Sequence, residues 1–116
     1  MNTAKSLGQA VVLLLLSVAS ANLCAQTSNG TLVGSVTDPT GAVLPKALVS
    51  AVSPQYGLPH ETRTDSAGTY RMESLQPGIY TVTISAKSFE TLTVTGAVID
   101  GSLTTTINGK LKLAVS

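Results

Sequence analysis

The residues able to perform acid–base or metal chemistry are few in this 116-residue chain. His60 is the single histidine, and Glu61 follows it directly. A zinc-peptidase motif of this type places its second histidine four residues after the first, where this chain has Thr64. One imidazole cannot supply both a metal shell and a catalytic base. The sequence therefore predicts no catalytic, cofactor-binding or metal-binding residues, and no enzyme activity.

Cysteine and charge exclude further classes of function. Cys24 is the single cysteine, so no internal disulfide can form. The alternative role for Cys24 is lipid attachment, but Leu23 stands where that motif requires a small residue. The formal net charge is +1 and charged residues make up 11% of the chain, without clusters of Lys or Arg. Binding to nucleic acid through phosphate neutralisation is therefore not expected.

The first 25 residues predict export. Lys5 supplies the positive start, and the apolar run from Ala10 to Leu16 is too short to span a membrane. Small residues allow cleavage after Ala21 or after Ala25. We expect a periplasmic, outer-membrane-associated or secreted protein with no transmembrane segment in its mature chain. The predicted segments are a signal peptide (1–25), a flexible start of the mature chain (26–30) and one folded domain (31–116).

From residue 31 onward, short runs of alternating apolar and polar residues are separated by Gly, Pro, Asp and Asn. This period of two predicts β-strands, and the regular spacing of the turns is typical of a sandwich. The fold class is therefore all-β, a seven-stranded Greek-key β-sandwich behind the signal peptide. The predicted strands are 31–37, 46–53, 60–64, 69–73, 79–86, 89–98 and 103–113.

Three turn predictions follow from Gly and its neighbours. Residues 65–68 predict a tight hairpin between the third and fourth strands, the third lying at a sheet edge. Pro77 before Gly78 predicts a turn with Gly78 in the left-handed region. Asn108-Gly109 favours a hairpin, but the alternation of residues 103–113 continues through it and predicts one strand, bulged at Gly109.

The turn residues, and the strand residues beside them, resemble those of a known family. The segments that carry the resemblance are 34–49 (GSVTDPTGAVLPKALV), 64–70 (TDSAGTY), 75–82 (LQPGIYTV) and 86–89 (AKSF). They are similar to carboxypeptidase regulatory-like domains, and the resemblance implies a transthyretin-like (prealbumin-like) sandwich. In bacteria such modules often follow the signal peptide of TonB-dependent outer-membrane receptors. Both a stand-alone module and a truncated receptor agree with this chain.

The expected function is that of a noncatalytic structural or interaction module whose partner is an unknown protein or a polysaccharide. The alternative is a weak carbohydrate-binding module, because sandwiches similar to this one bind sugars. Such sites stack sugars on exposed aromatic rings beside polar groups, and Tyr56 is the aromatic residue predicted to be free. Gln55 and His60, on the same loop, complete this candidate site.

Overall fold

The computed structural model describes residues 28–115. The predicted signal peptide, Cys24 and both candidate cleavage residues, Ala21 and Ala25, lie outside the described residues. The described part of the chain is all-β, which confirms the predicted fold class. No helix in this part is long and apolar enough to cross a membrane.

Two sheets form the sandwich. The strands are β1 (Gly30–Thr37), β2 (Leu48–Val52), β3 (His60–Arg63), β4 (Thr69–Leu75), β5 (Gly78–Ser85), β6 (Leu92–Ile99), β7 (Thr104–Thr106) and β8 (Gly109–Lys110). One sheet has the order β4–β1–β7, with β8 also pairing β1, and the other has the order β3–β2–β5–β6. The chain passes between the sheets at the β1–β2, β3–β4, β4–β5 and β6–β7 connections. The predicted edge position of the third strand is confirmed.

The alternation of apolar residues places the core between the two sheets, because successive side chains of a strand point to opposite faces. Every second residue of β2 and of β5 is buried, as predicted. The aromatic residues of the core are Tyr70 and Tyr80, and the partly buried Phe89 packs against the core cluster. The fully buried apolar side chains include Leu32, Val36, Val49, Leu75, Val82, Ile84, Ile99 and Leu111.

The tight turn at residues 65–68 is present, but the prediction that it forms a hairpin is wrong. β3 pairs with β2 in one sheet, whereas β4 pairs with β1 in the other. Asp65 organises this turn, since its carboxylate accepts hydrogen bonds from the Thr69 hydroxyl and from the backbone N–H groups of Ala67 and Thr69. These bonds, the Thr69 hydroxyl first, hold the pKa of Asp65 below its usual value of 3.8.

The left-handed residue near the β4–β5 turn is Ser74, with φ 62°, and not Gly78. Gly78 is instead the first residue of β5, where it pairs with Ile99. A side chain at position 78 would approach the loop that follows β2. A Cβ there would lie 3.2 Å from Gln55 Oε1 and 3.5 Å from Tyr56 Cε2. Gly78 therefore does not serve a positive φ, and a side chain there would require Gln55 Oε1 to shift by only a few tenths of an ångström.

The last predicted strand, 103–113, is divided into β7 and β8, and this division gives eight strands where seven were predicted. Both pieces run parallel to β1 in one register, with Thr31 opposite Thr104 and Val36 opposite Gly109. The direction of the chain does not reverse at 108–109, which confirms that no hairpin forms there. The register also stays constant across the gap, so the predicted bulge at Gly109 is not found.

The gap between β7 and β8 has a specific cause. Ile107 N donates to Val33 O, as in a parallel ladder. In an unbroken parallel ladder, Ser35 N would then donate to Ile107 O. Ser35 N instead donates to Asn108 Oδ1 at 2.9 Å. The Ile107 carbonyl accepts the Tyr70 hydroxyl at 2.5 Å. Burial raises the pKa of Tyr70 to about 12, so this phenol is a hydrogen-bond donor at neutral pH.

Candidate functional site

The loop between β2 and β3 carries Tyr56, the aromatic ring that the sequence predicts to be free. Ser53, which is 1% exposed, organises this loop: its carbonyl accepts the N–H groups of Tyr56 and Gly57, and its hydroxyl accepts that of Gln55. Gly57 has φ 76°, a conformation that glycine adopts without steric cost. The result is an ordered loop that presents a tyrosine ring 41% exposed to solvent.

The phenol of Tyr56 is attached to the β4–β5 turn. Its hydroxyl donates to the Pro77 carbonyl at 2.8 Å, and the Tyr80 hydroxyl donates to the neighbouring Gln76 carbonyl at 2.7 Å. Burial, and then repulsion from the Tyr56 phenolate, raises the pKa of Tyr80. The two tyrosines thus hold both carbonyls of the turn, and Tyr56 remains partly exposed to solvent.

The structure brings Gln55 and Tyr56 together beside Gly78, within van der Waals reach of one point. His60 is placed differently: it begins the edge strand β3 and pairs with Ala51. No hydrogen bond among residues 28–115 joins His60 to either of the other two. Within the same residues, no group of three or more His, Cys, Asp or Glu side chains is arranged to hold a metal ion.

An exposed apolar pair lies next to this loop. Ile79 and Val98 are cross-strand neighbours in the β5–β6 ladder, and they remain 59% and 53% exposed. We call them the Ile79–Val98 patch. Leu103, 59% exposed, lies in the β6–β7 connection at the same end of the sandwich. The rest of this outer face carries the hydroxyl side chains of Ser50, Thr81, Thr83, Ser85 and Thr93, together with the half-buried Leu48 and Val52.

Sequence reasoning missed both this patch and a groove at the other end of the sandwich. Ile79 and Val98 each interrupt the alternation of their strand, since both are apolar residues at outward positions, but only the cross-strand register shows that they meet. The groove has a volume of about 170 Å³ and lies between the residues before β6 and those after β8. It carries both signs of charge, and its lining residues are Glu90, Thr91, Leu92, Lys110, Leu111 and Lys112.

The comparison with protein families decides the class of the domain. The model of the carboxypeptidase regulatory-like domain matches residues 31–112, which is most of the chain. The chain belongs to the carboxypeptidase regulatory-like domain family. The sandwich described above is the fold that membership implies, and the predicted resemblance is confirmed.

Solved structures share the fold of this regulatory-like domain. A putative carbohydrate binding protein from Bacteroides uniformis matches with TM-score 0.59 and 16% identity over 72% of this chain and 41% of that chain. The minor pilin of Streptococcus agalactiae matches with TM-score 0.59 and 18% identity over 78% and 47%. Catechol 1,2-dioxygenase from Pseudomonas arvilla matches with TM-score 0.59 and 16% identity over 78% and 54%.

The regulatory-like domain spans between 41% and 54% of the length of these three neighbours. At such identities the likeness shows the fold alone, and the activities of those proteins do not transfer with it. No curated protein matches the chain.

Proposed function

We propose that this domain is an exported, noncatalytic interaction module that docks a protein partner through the Ile79–Val98 patch. In this proposal the domain corresponds to the modules found at the N-terminus of TonB-dependent outer-membrane receptors. The apolar run of residues 10–16 and the small residues before Asn22 and Gln26 support export. The absence of enzyme activity is supported by the single histidine, which lies on an edge strand.

The observation that carries the proposal is the exposed cross-strand pair on a face otherwise rich in hydroxyl groups. Two apolar side chains directly opposite each other make a continuous surface, because their Cβ atoms lie only about 5 Å apart. Fully burying such a side chain contributes about 1.5–3 kcal/mol. Since roughly half of each is already covered, a partner that buries the Ile79–Val98 patch gains about 2 kcal/mol from it.

Site-specific photocross-linking in the cell that makes the protein tests this docking surface. A photoreactive phenylalanine analogue replaces Ile79 in one variant and Thr83 in the other. Both positions lie on the outer face of β5, so the second is a matched control. We expect one discrete protein adduct from position 79 and none from position 83. Equal adducts from both positions, or none from either, would contradict the proposal.

Carbohydrate binding is the second candidate function, and it rests on Tyr56. The ring is 41% exposed and is oriented by the hydrogen bond to Pro77, as a stacking platform requires. Gln55 adjoins the ring, whereas His60 contributes only if a sugar reaches the edge strand. Retention on polysaccharide columns tests this candidate with two variants. Tyr56→Ala removes the ring and abolishes retention, while Tyr56→Phe loses only the bond to Pro77 and keeps it. Equal retention of Tyr56→Ala and the native chain excludes sugar stacking.

An activity screen completes the test of the proposed function. We expect no turnover of peptide, ester or glycoside substrates by the purified protein, with or without added zinc or calcium. Turnover that disappears in a His60→Ala variant would overturn the noncatalytic assignment.

A further inference from the structure

The first and last strands of the sandwich are neighbours, and they run in the same direction. β1 runs from Gly30 to Thr37, while β7 and β8 run beside it from Thr104 to Lys110. The described chain therefore starts at the end of the sandwich that carries Tyr56. It leaves at the opposite end, close to the Asp65 turn. A pulling force applied to the two ends of the chain acts along these strands and in opposite directions on them.

Hydrogen bonds at every second residue of β1 join it to the last segment of the chain. We call this set the terminal ladder. The alternation follows from strand geometry, because successive residues of β1 present their backbone groups to opposite neighbours. Besides the bonds of the β1–β7 and β1–β8 pairings, the terminal ladder includes Thr31 N to Leu103 O, Ile107 N to Val33 O, Ser35 N to Asn108 Oδ1 and Leu111 N to Thr37 O, with lengths of 3.0, 2.9, 2.9 and 2.9 Å.

The middle of the terminal ladder is secured against sliding. Gly34 lies so close to the last segment that a Cβ there would come within 1.8 Å of Ile107 O. The same carbonyl is held from β4 by the Tyr70 hydroxyl. Displacement of β7 along β1 therefore requires loss of the Tyr70 bond together with the backbone bonds.

A second set of bonds holds the segment that follows β8. Glu90 N donates to Lys112 O at 2.7 Å, and Ala114 N donates to Ser88 O at 3.0 Å. Phe89 and Leu113 form an antiparallel bridge between the same two segments. The exit segment is thereby tied to the second sheet, and both sheets share a force applied at this end.

We propose that the sandwich is mechanically strong along the line that joins its first and last strands, so that it stays folded under tension applied between its two ends. Tension between the ends loads all bonds of the terminal ladder at once, in shear. Tension applied to both strands at the same end would open the bonds one after another. Resistance to forced unfolding is governed by the unfolding rate and not by equilibrium stability. This mechanical property goes beyond the proposed docking function and does not depend on it.

Single-molecule force spectroscopy in two pulling geometries tests the proposal. In the first, the full chain is fused at both termini to handle domains of known unfolding force. In the second, a Cys24→Ser, Ala42→Cys chain is pulled between position 42 and a C-terminal handle. Ala42 is exposed and lies beside the end of β1, near the Thr37–Val43 bridge. We expect a several-fold higher unfolding force in the first geometry. Equal forces, or a higher force in the second, would overturn the proposal.

Two further variants test the terminal ladder itself. Asn108→Ala removes the bond to Ser35 N and should lower the force only in the end-to-end geometry. Arg71→Gln breaks an exposed ion pair with Glu73 on β4, outside the ladder, and should change neither force. A loss of the same size in both geometries for Asn108→Ala would show general weakening and would contradict the role of the ladder.

Discussion

At the scale of single residues, two glycines show why the same substitution has different costs at different places. A Cβ on Gly34 meets a backbone carbonyl oxygen of Ile107 at 1.8 Å, which only a backbone shift can relieve. A Cβ on Gly109 meets Ile84 Cδ1 at 2.7 Å, the far end of a flexible side chain. Both glycines lie in the contact between β1 and the last segment or directly beside it, yet only Gly34 requires the backbone to move.

We therefore predict that Gly109→Ala lowers the free energy of unfolding by about 1–3 kcal/mol, the usual cost of overpacking a core. Gly34→Ala should cost more than that upper value and leave little folded protein, since it also displaces Ile107 from Tyr70. Urea denaturation followed by circular dichroism measures both. The contrary result is a Gly34→Ala protein that is as stable as Gly109→Ala.

At the scale of the turns, two aspartates make stability depend on pH. Asp38 accepts bonds from the Thr40 hydroxyl and from backbone N–H groups, as Asp65 does from Thr69, and both carboxyls have a lowered pKa. Because the pKa of each carboxyl is lower in the folded than in the unfolded chain, the stabilisation from these hydrogen bonds is fully present above the unfolded-state pKa. It is lost as pH falls through the folded-state pKa, because the unfolded chain binds the protons first.

The expected outcome is a urea midpoint that is flat near neutral pH and falls below about pH 4, the ordinary range of Asp. An Asp38→Asn, Asp65→Asn variant keeps acceptor oxygens at both turns but cannot titrate there. Its midpoint should fall less over the same pH range. Parallel acid curves for the variant and the native chain would show that other groups determine the acid limit.

The strands were predictable where the signal is local, and the pairing was not. Alternation placed Ala47, Val49 and Ala51 inward because the side-chain period of a strand is a property of the strand itself. The Asp65 turn was predictable from its residues, but the sheet that each flanking strand joins depends on distant partners. Likewise, Asn108 takes the place of a backbone acceptor only because Tyr70, far away in the sequence, holds the Ile107 carbonyl. For the candidate site, composition indicated Tyr56, whereas its attachment to Pro77 and the Ile79–Val98 patch required the fold.

At the scale of the whole molecule, β3 and β6 form the edges of one sheet, and β4 and the β7–β8 segment form the edges of the other. The exposed residues of β3 and β4 are largely polar or charged. Arg71 and Glu73 on β4 and Glu61 on β3 are exposed. Charged residues on an edge strand discourage pairing with another strand. The apolar Ile79–Val98 patch lies on the outer face of β5 and of the edge strand β6. A partner that covers these two side chains docks on the face of the sheet and does not need to pair with an edge strand.

The prediction of export rests on residues 1–25, which precede the folded domain. The mature protein should begin at Asn22 or Gln26, because small residues precede both positions at the required spacing. Intact-mass spectrometry of the exported protein measures this start. A mature chain that begins at Cys24 and carries lipid would contradict the prediction and would indicate anchoring to a membrane.

The hydrogen bond between Asn108 and Ser35 also bears on how the protein ages chemically. An asparagine followed by glycine deamidates when the glycine nitrogen attacks the side-chain carbonyl carbon and expels ammonia, since glycine offers little steric hindrance. Water then opens the resulting succinimide ring to aspartate or isoaspartate. In the folded domain that side chain is held on Ser35 N, and Gly109 is buried in β8 against Ile84. The ring closure therefore requires the last segment to leave β1. Each isoaspartate adds a carbon to the main chain, which prevents the return of β8 to its register. The fraction of chains damaged at 108–109 therefore increases with the time that the domain spends open.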